Sequence, residues 1–263
     1  MYAFDYHRPS SVGEADKAIA ANPEGKLLAG GQTLIPTLKL RLAQPSAVVD
    51  LGGIAGLRGI SRADGVLRIG AMTTHADVAT SAEVQAAIPG LATVAGGIGD
   101  PHVRNRGTLG GSVANNDPAA DYPAAVMALG ATVHTSKRAI PADAFFAGLF
   151  STVLEEGEIV THVDFPIVES FGYAKFANPA SRYALVGVAV AKSKAGVRVA
   201  VTGAGASGVY RLTAAEQALD ANFSAKSLDG LKVDASNLMS DIHAAADYRA
   251  HLIAVMARRA VGA

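Results

Sequence analysis

No cysteine occurs anywhere in the chain. Disulfides, thiol nucleophiles, cysteine-ligated iron–sulfur clusters and cysteine-based zinc sites are therefore excluded within it. Net charge is missing too, because 23 basic residues cancel 23 acidic ones. The chain thus lacks the excess of basic residues on which nucleic-acid affinity rests. Charged residues make up only 17% of the chain against 50% hydrophobic, which leaves little repulsion between molecules and suits a surface covered by partners. No uninterrupted apolar run approaches the ~20 residues of a membrane helix. The N-terminus, MYAFDYHRPSSVGEADKAIA, lacks the basic-then-apolar order of a signal peptide. The expectation is a soluble cytoplasmic protein. With 263 residues the chain has room for one large domain or two to three small ones around a real core.

What the chain does have is glycine in particular places. Residues 96–123 read GGIGDPHVRNRGTLGGSVANNDPAADYP, with TLGGS at Thr108–Ser112. Such a stretch suits a backbone folded tightly around a guest, with amides turned inward and no β-carbons in the way. Phosphate is the natural guest; a plain glycine-rich surface loop is the alternative. A second glycine turn, AGGQT at Ala29–Thr33, adds weight to the first reading, since two such turns suggest a split cradle for a cofactor with two phosphates.

In chain order, residues 1–52 read as a β-α-β-like unit. Val12, Ala15, Ala18 and Ile19 share a helical face behind Ser10–Ser11, which can cap it. A short strand at Lys26–Ala29 runs into AGGQT, and Leu34, Leu38 and Leu42 recur every fourth residue with Pro36 near the helix start. Ala47–Leu51 reads as a strand. A strand, a glycine turn and a helix in that order present amides to an anion, although the same order also makes a plain connection.

Residues 53–168 form a second unit. It contains a hairpin around Ala63-Asp64-Gly65, a helix capped by Thr73 or Thr74, and helical pieces divided by Pro89-Gly90. The glycine stretch follows, then a helix starting at Pro118, then strands at Ala131–Thr135 and Glu158–Phe165. Residues 169–263 read as an antiparallel sheet followed by helices near 213–221, 235–245 and 247–261. Gly203–Gly208 spells GAGASG, formally a dinucleotide fingerprint. It is rejected because the next helix begins only at Thr213, too late for the third glycine to lie in it. The seven histidines (7, 75, 102, 134, 162, 243 and 251) show no HxH or HExxH spacing, so surface or hydrogen-bonded roles are expected rather than a metal site. No nucleophile elbow is present.

The segments LLAGGQTLIPTLKLRLAQPSAVVDL, LRIGAMTTHADV, VRNRGTLGGSVANNDPAADYPAA and AKF…RYALVGVAVA stand in one order along the chain. Together they resemble the FAD-binding medium subunit of molybdenum hydroxylases, the family of xanthine dehydrogenases and aerobic carbon monoxide dehydrogenases. The resemblance implies an α+β protein. Its FAD-binding domain would be of the vanillyl-alcohol-oxidase (PCMH) type, in two subdomains at 1–52 and 53–168. Residues 169–263 would form a C-terminal antiparallel sheet with a helical cluster, as in the carbon monoxide dehydrogenase flavoprotein.

Residue by residue, the resemblance places the first pyrophosphate loop on Ala29, Gly30, Gly31, Gln32 and Thr33. The second falls on Thr108, Leu109, Gly110, Gly111 and Ser112. Asp121 matches a flavin-side aspartate, Lys175 a lysine near the flavin, and Tyr183 a residue against the isoalloxazine ring. From the residues alone, Asp117 and Asp121 read equally as helix-start acids and Tyr183 as a strand aromatic. Arg104 and Arg106 would neutralise phosphate or pair with carboxylates.

Departures from the family pattern bear on function. Ser112 replaces a common asparagine, and its hydroxyl still bonds phosphate. Gln32 stands where distant flavoproteins carry a covalently attached histidine, which implies non-covalent FAD. Ile98 replaces the aromatic residue of xanthine dehydrogenases, which weakens any parallel with their use of nicotinamide. The cysteine-bearing insertion of some relatives is missing.

The implied function is electron transfer. A small [2Fe-2S] subunit would feed FAD in this chain, a large molybdenum-cofactor subunit would hydroxylate the substrate, and the assembly would be a dimer of heterotrimers. No catalytic side chain is needed. A self-contained flavin reductase of the same superfold, or a subunit holding FAD inertly, are the alternatives.

Overall fold

The computed structural model describes residues 1–263. Three sheets carry the architecture. The first is parallel, built from β1 (Asp5–His7), β2 (Lys26–Leu28) and β3 (Ala47–Asp50), with β3 in the middle. Helix α1 (Val12–Ala20) links β1 to β2 and is capped by Ser11, whose side chain accepts from the Glu14 amide. Ala15 and Ile19 turn inward from α1. Helix α2 (Leu34–Lys39) follows the first glycine turn and buries only Leu38. Leu40 and Leu42 lie 70% and 75% exposed. The leucine repeat therefore does not define a buried face, because the helix ends before the repeat does.

The second sheet is antiparallel, in the order β4-β5-β10-β6-β7. Its strands are β4 (Ile60–Ala63), β5 (Val66–Gly70), β6 (Thr132–Thr135), β7 (Ala139–Pro141) and, returning later, β10 (Val160–Pro166). Asp64 and Gly65, both at positive φ, close the β4–β5 hairpin as anticipated. One face of this sheet is covered by short helices: α3 (His75–Thr80), α4 (Ala82–Ala87), α5 (Pro89–Gly96), α6 (Pro101–Arg104), α7 (Leu109–Asn115) and α8 (Tyr122–Ala128). Thr74 begins α3 with a complete capping box to Asp77. After β7 come α9 (Ala142–Phe145) and the small hairpin β8 (Phe146–Gly148) and β9 (Ser151–Thr152).

Two expectations fail in this region. The TLGGS segment is the start of α7, with Thr108 as its N-cap, and not an irregular loop. The helix expected from Pro118 begins only at Tyr122. Residues 117–121 instead form a turn that binds the third sheet. The Asp117 carboxylate accepts the Ala119 amide, and the Pro118 carbonyl accepts from Thr202 Oγ1 and the Gly203 amide.

The third sheet is antiparallel: β11 (Ser170–Ala177), β12 (Ala184–Ser193), β13 (Gly196–Thr202) and β14 (Tyr210–Arg211). Strand β12 is buried on both faces, which is why it reads as a near-continuous apolar run. Val186, Val188 and Val190 face α10 (Thr213–Ala221) and α11 (Ala246–Val261). Ala189 and Ala191 face the core shared with the second sheet and its helices. Small residues on that side let the sheet lie close against α5 and α8. The expected helix at 235–245 is absent. That segment is a run of turns and bends, with Gly205 bridging Leu238 and the Met239 amide bonding the Ala204 carbonyl. No helix is long and apolar enough to cross a membrane.

Arg249 on α11 locks the third sheet to its helix. Its guanidinium is only 3% exposed, donates to the Leu185 and Gly203 carbonyls, and pairs with Asp241 at 2.8 Å. Arg249→Ala would remove the donor that serves the buried Leu185 and Gly203 carbonyls, while Asp241 would keep the amides of His243 and Ala244. We expect it to cost about 3 kcal/mol, read as a lower denaturation midpoint; an unchanged midpoint would mean that water replaces the side chain freely.

Candidate functional site

The two glycine turns lie against each other. A β-carbon on Gly30 would land on the carbonyl oxygen of Arg106, and one on Gly111 would meet Thr108 Oγ1 at 2.9 Å and the Ala29 β-carbon at 3.2 Å. Gly31 has φ of +74°, a conformation that glycine adopts without cost. Beside this junction opens a cavity of about 590 Å³, within the range of small-molecule and cofactor sites. All three parts of the chain line it: the first turn, the second turn with the linker to Asp121, and Ser181–Tyr183 from the connection between β11 and β12.

The turns contribute differently. In the first, the amides of Gly30, Gly31, Gln32 and Thr33 donate to no group within the chain. Four consecutive unpaired amides on a cavity wall are donors of the kind an anion can use. In the second turn the amides are already used: Leu109 donates to Thr73, Gly110 to Ala71, Gly111 to Thr108 Oγ1 and Ser112 to the Thr108 carbonyl. The expectation of inward-turned amides is therefore corrected for TLGGS, because forming a helix N-terminus and docking on the end of β5 consumes them. The second turn presents the cavity with the Ser112 hydroxyl, which has no partner in the chain, and with a surface free of bulky side chains.

Of the residues expected at the site, Ala29, Gly30, Gly31, Gln32, Thr33, Thr108, Gly110, Gly111, Ser112, Asp121 and Tyr183 line this one cavity. Leu109 does not; its side chain is fully buried in the core. Lys175 stands behind the wall, donating to Asp121 at 3.1 Å and to the Gly97 carbonyl at 2.8 Å. Asp121 is buried and also accepts from the Tyr173 hydroxyl. Burial raises its pKa, opposed by the Lys175 ammonium and the Tyr173 hydrogen bond. Tyr183 is 51% exposed, and burial followed by the charges of Asp117 and Asp121 raises its phenol. Arg104 pairs with no carboxylate; one of its guanidinium nitrogens donates to the carbonyls of Ile98 and Gly99.

Sequence reasoning missed other cavity residues, including His75, Asp117 and Phe150. His75 is neither on the surface nor hydrogen-bonded through its ring: Nδ1 is buried without a partner, as is the neighbouring Tyr122 hydroxyl. Nothing in its spacing marks it, because its burial comes from Gly107, whose missing side chain leaves the imidazole its room. His134, His162 and Asp164 also come together away from the cavity. There the imidazoles stack at 11° and Arg68 grips Asp164 with two bonds. Near-parallel rings do not aim their nitrogens at a common point, so the cluster reads as an ion-pair network.

Burial, then the nearby Arg104 charge, lowers the His75 pKa to about 4. Unfolded, the imidazole titrates near its ordinary value of about 6.5. The neutral folded form is therefore fully favoured above about 6.5, and the advantage is lost as pH falls towards 4. Over that interval we expect this residue to remove about 3 kcal/mol of apoprotein stability. The difference in urea midpoint between the wild-type chain and His75→Phe should change with pH over that window; a constant difference would refute the assignment.

Comparisons with known proteins agree with this geometry. Residues 2–168 match the family described as FAD binding domain in molybdopterin dehydrogenase. The chain is 36% identical to the nicotine 6-hydroxylase medium subunit of Paenarthrobacter nicotinovorans, over 98% of this chain and 96% of the relative. It is 35% identical to the carbon monoxide dehydrogenase medium chain of Hydrogenophaga pseudoflava, over 99% and 96%. A solved structure of reconstituted carbon monoxide dehydrogenase from Oligotropha carboxidovorans superposes with a TM-score of 0.92 at 31% identity, covering 99% of this chain and 97% of that one. A split glycine cradle and similarity along the whole chain to such medium chains lead to one conclusion: the chain belongs to the FAD-binding family of the molybdopterin dehydrogenases and is the flavoprotein subunit of a molybdenum-hydroxylase-type oxidoreductase.

Proposed function

We propose that this chain is the electron-transfer subunit of its complex, receiving electrons from the [2Fe-2S] clusters of a small partner subunit and delivering them to an external acceptor. A large molybdenum-cofactor subunit would carry out the hydroxylation, in a cytoplasmic dimer of heterotrimers. The observation that carries this reading is the run of unpaired amides at Gly30–Thr33 on the wall of the cavity, in a chain that matches medium subunits along its whole length. FAD of the PCMH type fits the donor set: unpaired amides and the Ser112 hydroxyl for the pyrophosphate, with a cavity large enough for a ring system beyond it.

Bound FAD supplies the redox chemistry, exchanging electrons singly or in pairs. The chain's residues hold and shield it. Asp121 is fixed by Tyr173 and Lys175, so its carboxylate has one orientation towards the cavity. The Lys175 ammonium offsets the charge that would otherwise be buried alone. Tyr183, on the segment leading into β12, presents its ring at the cavity mouth for the isoalloxazine. Gln32 bonds back to the Gly30 carbonyl and offers no nucleophile, consistent with non-covalent attachment. None of these roles requires a side chain to exchange a proton with substrate.

Two measurements test this. In Gly111→Asp, the added carboxylate would wedge between the turns and bring like charge to the pyrophosphate. FAD binding should weaken at least about tenfold while the protein stays folded. Gly110→Ala should instead destabilise the fold, because its β-carbon would lie 2.9 Å from the Ala71 backbone. Separately, the isolated chain loaded with FAD should be bleached anaerobically by dithionite but not by purines, aldehydes or carbon monoxide. If an organic substrate bleaches it at a catalytic rate without partners, the chain is a self-contained reductase.

A further inference from the structure

Five residues other than glycine have positive φ: Arg41, Asp64, Asn116, Phe150 and Arg182. Asp64 closes a hairpin, and Asn116 is the left-handed C-cap of α7, both places where those residue types are at ease. Phe150 is different. A bulky side chain at φ of +52° is uncommon and costs free energy unless its surroundings hold it there.

The holding contacts are explicit. The Phe150 amide donates to the Asn116 carbonyl at 3.1 Å. Asn116 is 2% exposed, and its Nδ2 donates to the carbonyls of Gly148 and Ser151, both at 2.8 Å, on either side of Phe150. The clamp therefore sits at the C-terminal end of the helix whose N-terminal end is the second glycine turn. One short helix fixes the cradle and Phe150 together.

The ring held in this way lines the cavity and is 60% exposed, as Tyr183 is 51% exposed. These are the two phenyl-type rings on the cavity wall. Both are tied to the linker after α7: Phe150 through Asn116, and Tyr183 through the neighbouring Ala184 amide, which donates to the Ala119 carbonyl. The two anchoring carbonyls, of Asn116 and Ala119, lie within the same short linker. A flat aromatic cofactor is the kind of guest that would bury two such rings.

We propose that Phe150 is a cofactor-contacting residue which, with Tyr183, walls the isoalloxazine end of the cavity and limits solvent access to it. The left-handed backbone at 150 is the cost of presenting the ring there. This inference rests on FAD occupying the cavity described above.

The test uses the full chain, with and without FAD, in Phe150→Ala and Phe150→Asn. Asparagine suits the left-handed backbone, so Phe150→Asn should raise the melting temperature of the apoprotein by about 2–4 °C. In both variants FAD should bind about 3–10-fold more weakly, and iodide should quench the flavin fluorescence at least about twofold more steeply than in the wild-type chain. Gly111→Asp serves as the reference. If it loses FAD while both Phe150 variants keep wild-type affinity and quenching, the cavity reading stands and the role of Phe150 falls. If Gly111→Asp also binds FAD normally, the cavity reading itself falls. If the Phe150 variants leave flavin untouched but impair assembly with the partner subunits, Phe150 is an interface anchor and the proposal is overturned.

Discussion

The site depends on one close backbone contact, where Gly30 meets Arg106 and Gly107 and Gly111 meets Ala29. It joins a parallel three-stranded unit to an antiparallel five-stranded one, and neither unit alone encloses the cavity. Any β-carbon at Gly30 would force the turns apart. The contact also explains why the turns divide their labour. The second spends its amides on the Thr73 and Ala71 carbonyls and on capping α7, and so becomes rigid. The first leaves its amides unpaired, with the rigid turn as its support.

The third sheet completes the arrangement by a packing pattern. Alternation of valine and alanine along β12 gives one face bulk for the helices α10 and α11 and leaves the other thin enough to lie on α5 and α8. That proximity carries Tyr173 and Lys175, on β11, to Asp121 at the start of α8. A buried carboxylate is costly unless it is paired and hydrogen-bonded, and here the partners come from a sheet more than fifty residues away in the chain. The same approach delivers Tyr183 to the cavity mouth. The third sheet is thus a wall of the site as well as a support.

Several polar groups near the cavity lack partners within the chain. The His75 Nδ1 and the Tyr122 hydroxyl are both buried without partners, and the amides of Gly30–Thr33 are unpaired. Buried polar groups are ordinarily satisfied; the other two such atoms, His162 Nε2 and Arg249 Nε, lie away from the cavity. Phe150, at positive φ, lines the same cavity.

Much of the scaffold was legible in order along the chain. The hairpin around Asp64-Gly65, the Ser11 and Thr74 caps, the main strands and the rejection of GAGASG rest on local signals: turn chemistry, capping and periodicity, and these act within a few residues. The two glycine turns were recognisable for the same reason, since their composition suits close backbone approach. Local signals misled where a distant partner intervened. Pro118 starts no helix because its carbonyl is bound by Thr202 and Gly203; 235–245 forms no helix because Asn237 and Met239 bond to Ala206 and Ala204; and the TLGGS amides are consumed by β5 and α3's approach. The amino-acid sequence by itself determined which segments turn tightly, which are buried and that no cysteine chemistry is available. Tertiary structure alone decided which amides remain free, which ring is buried neutral, and that Phe150 and Tyr183 line one cavity. Hydrogen-bond partners and desolvation are set by neighbours far apart in the chain.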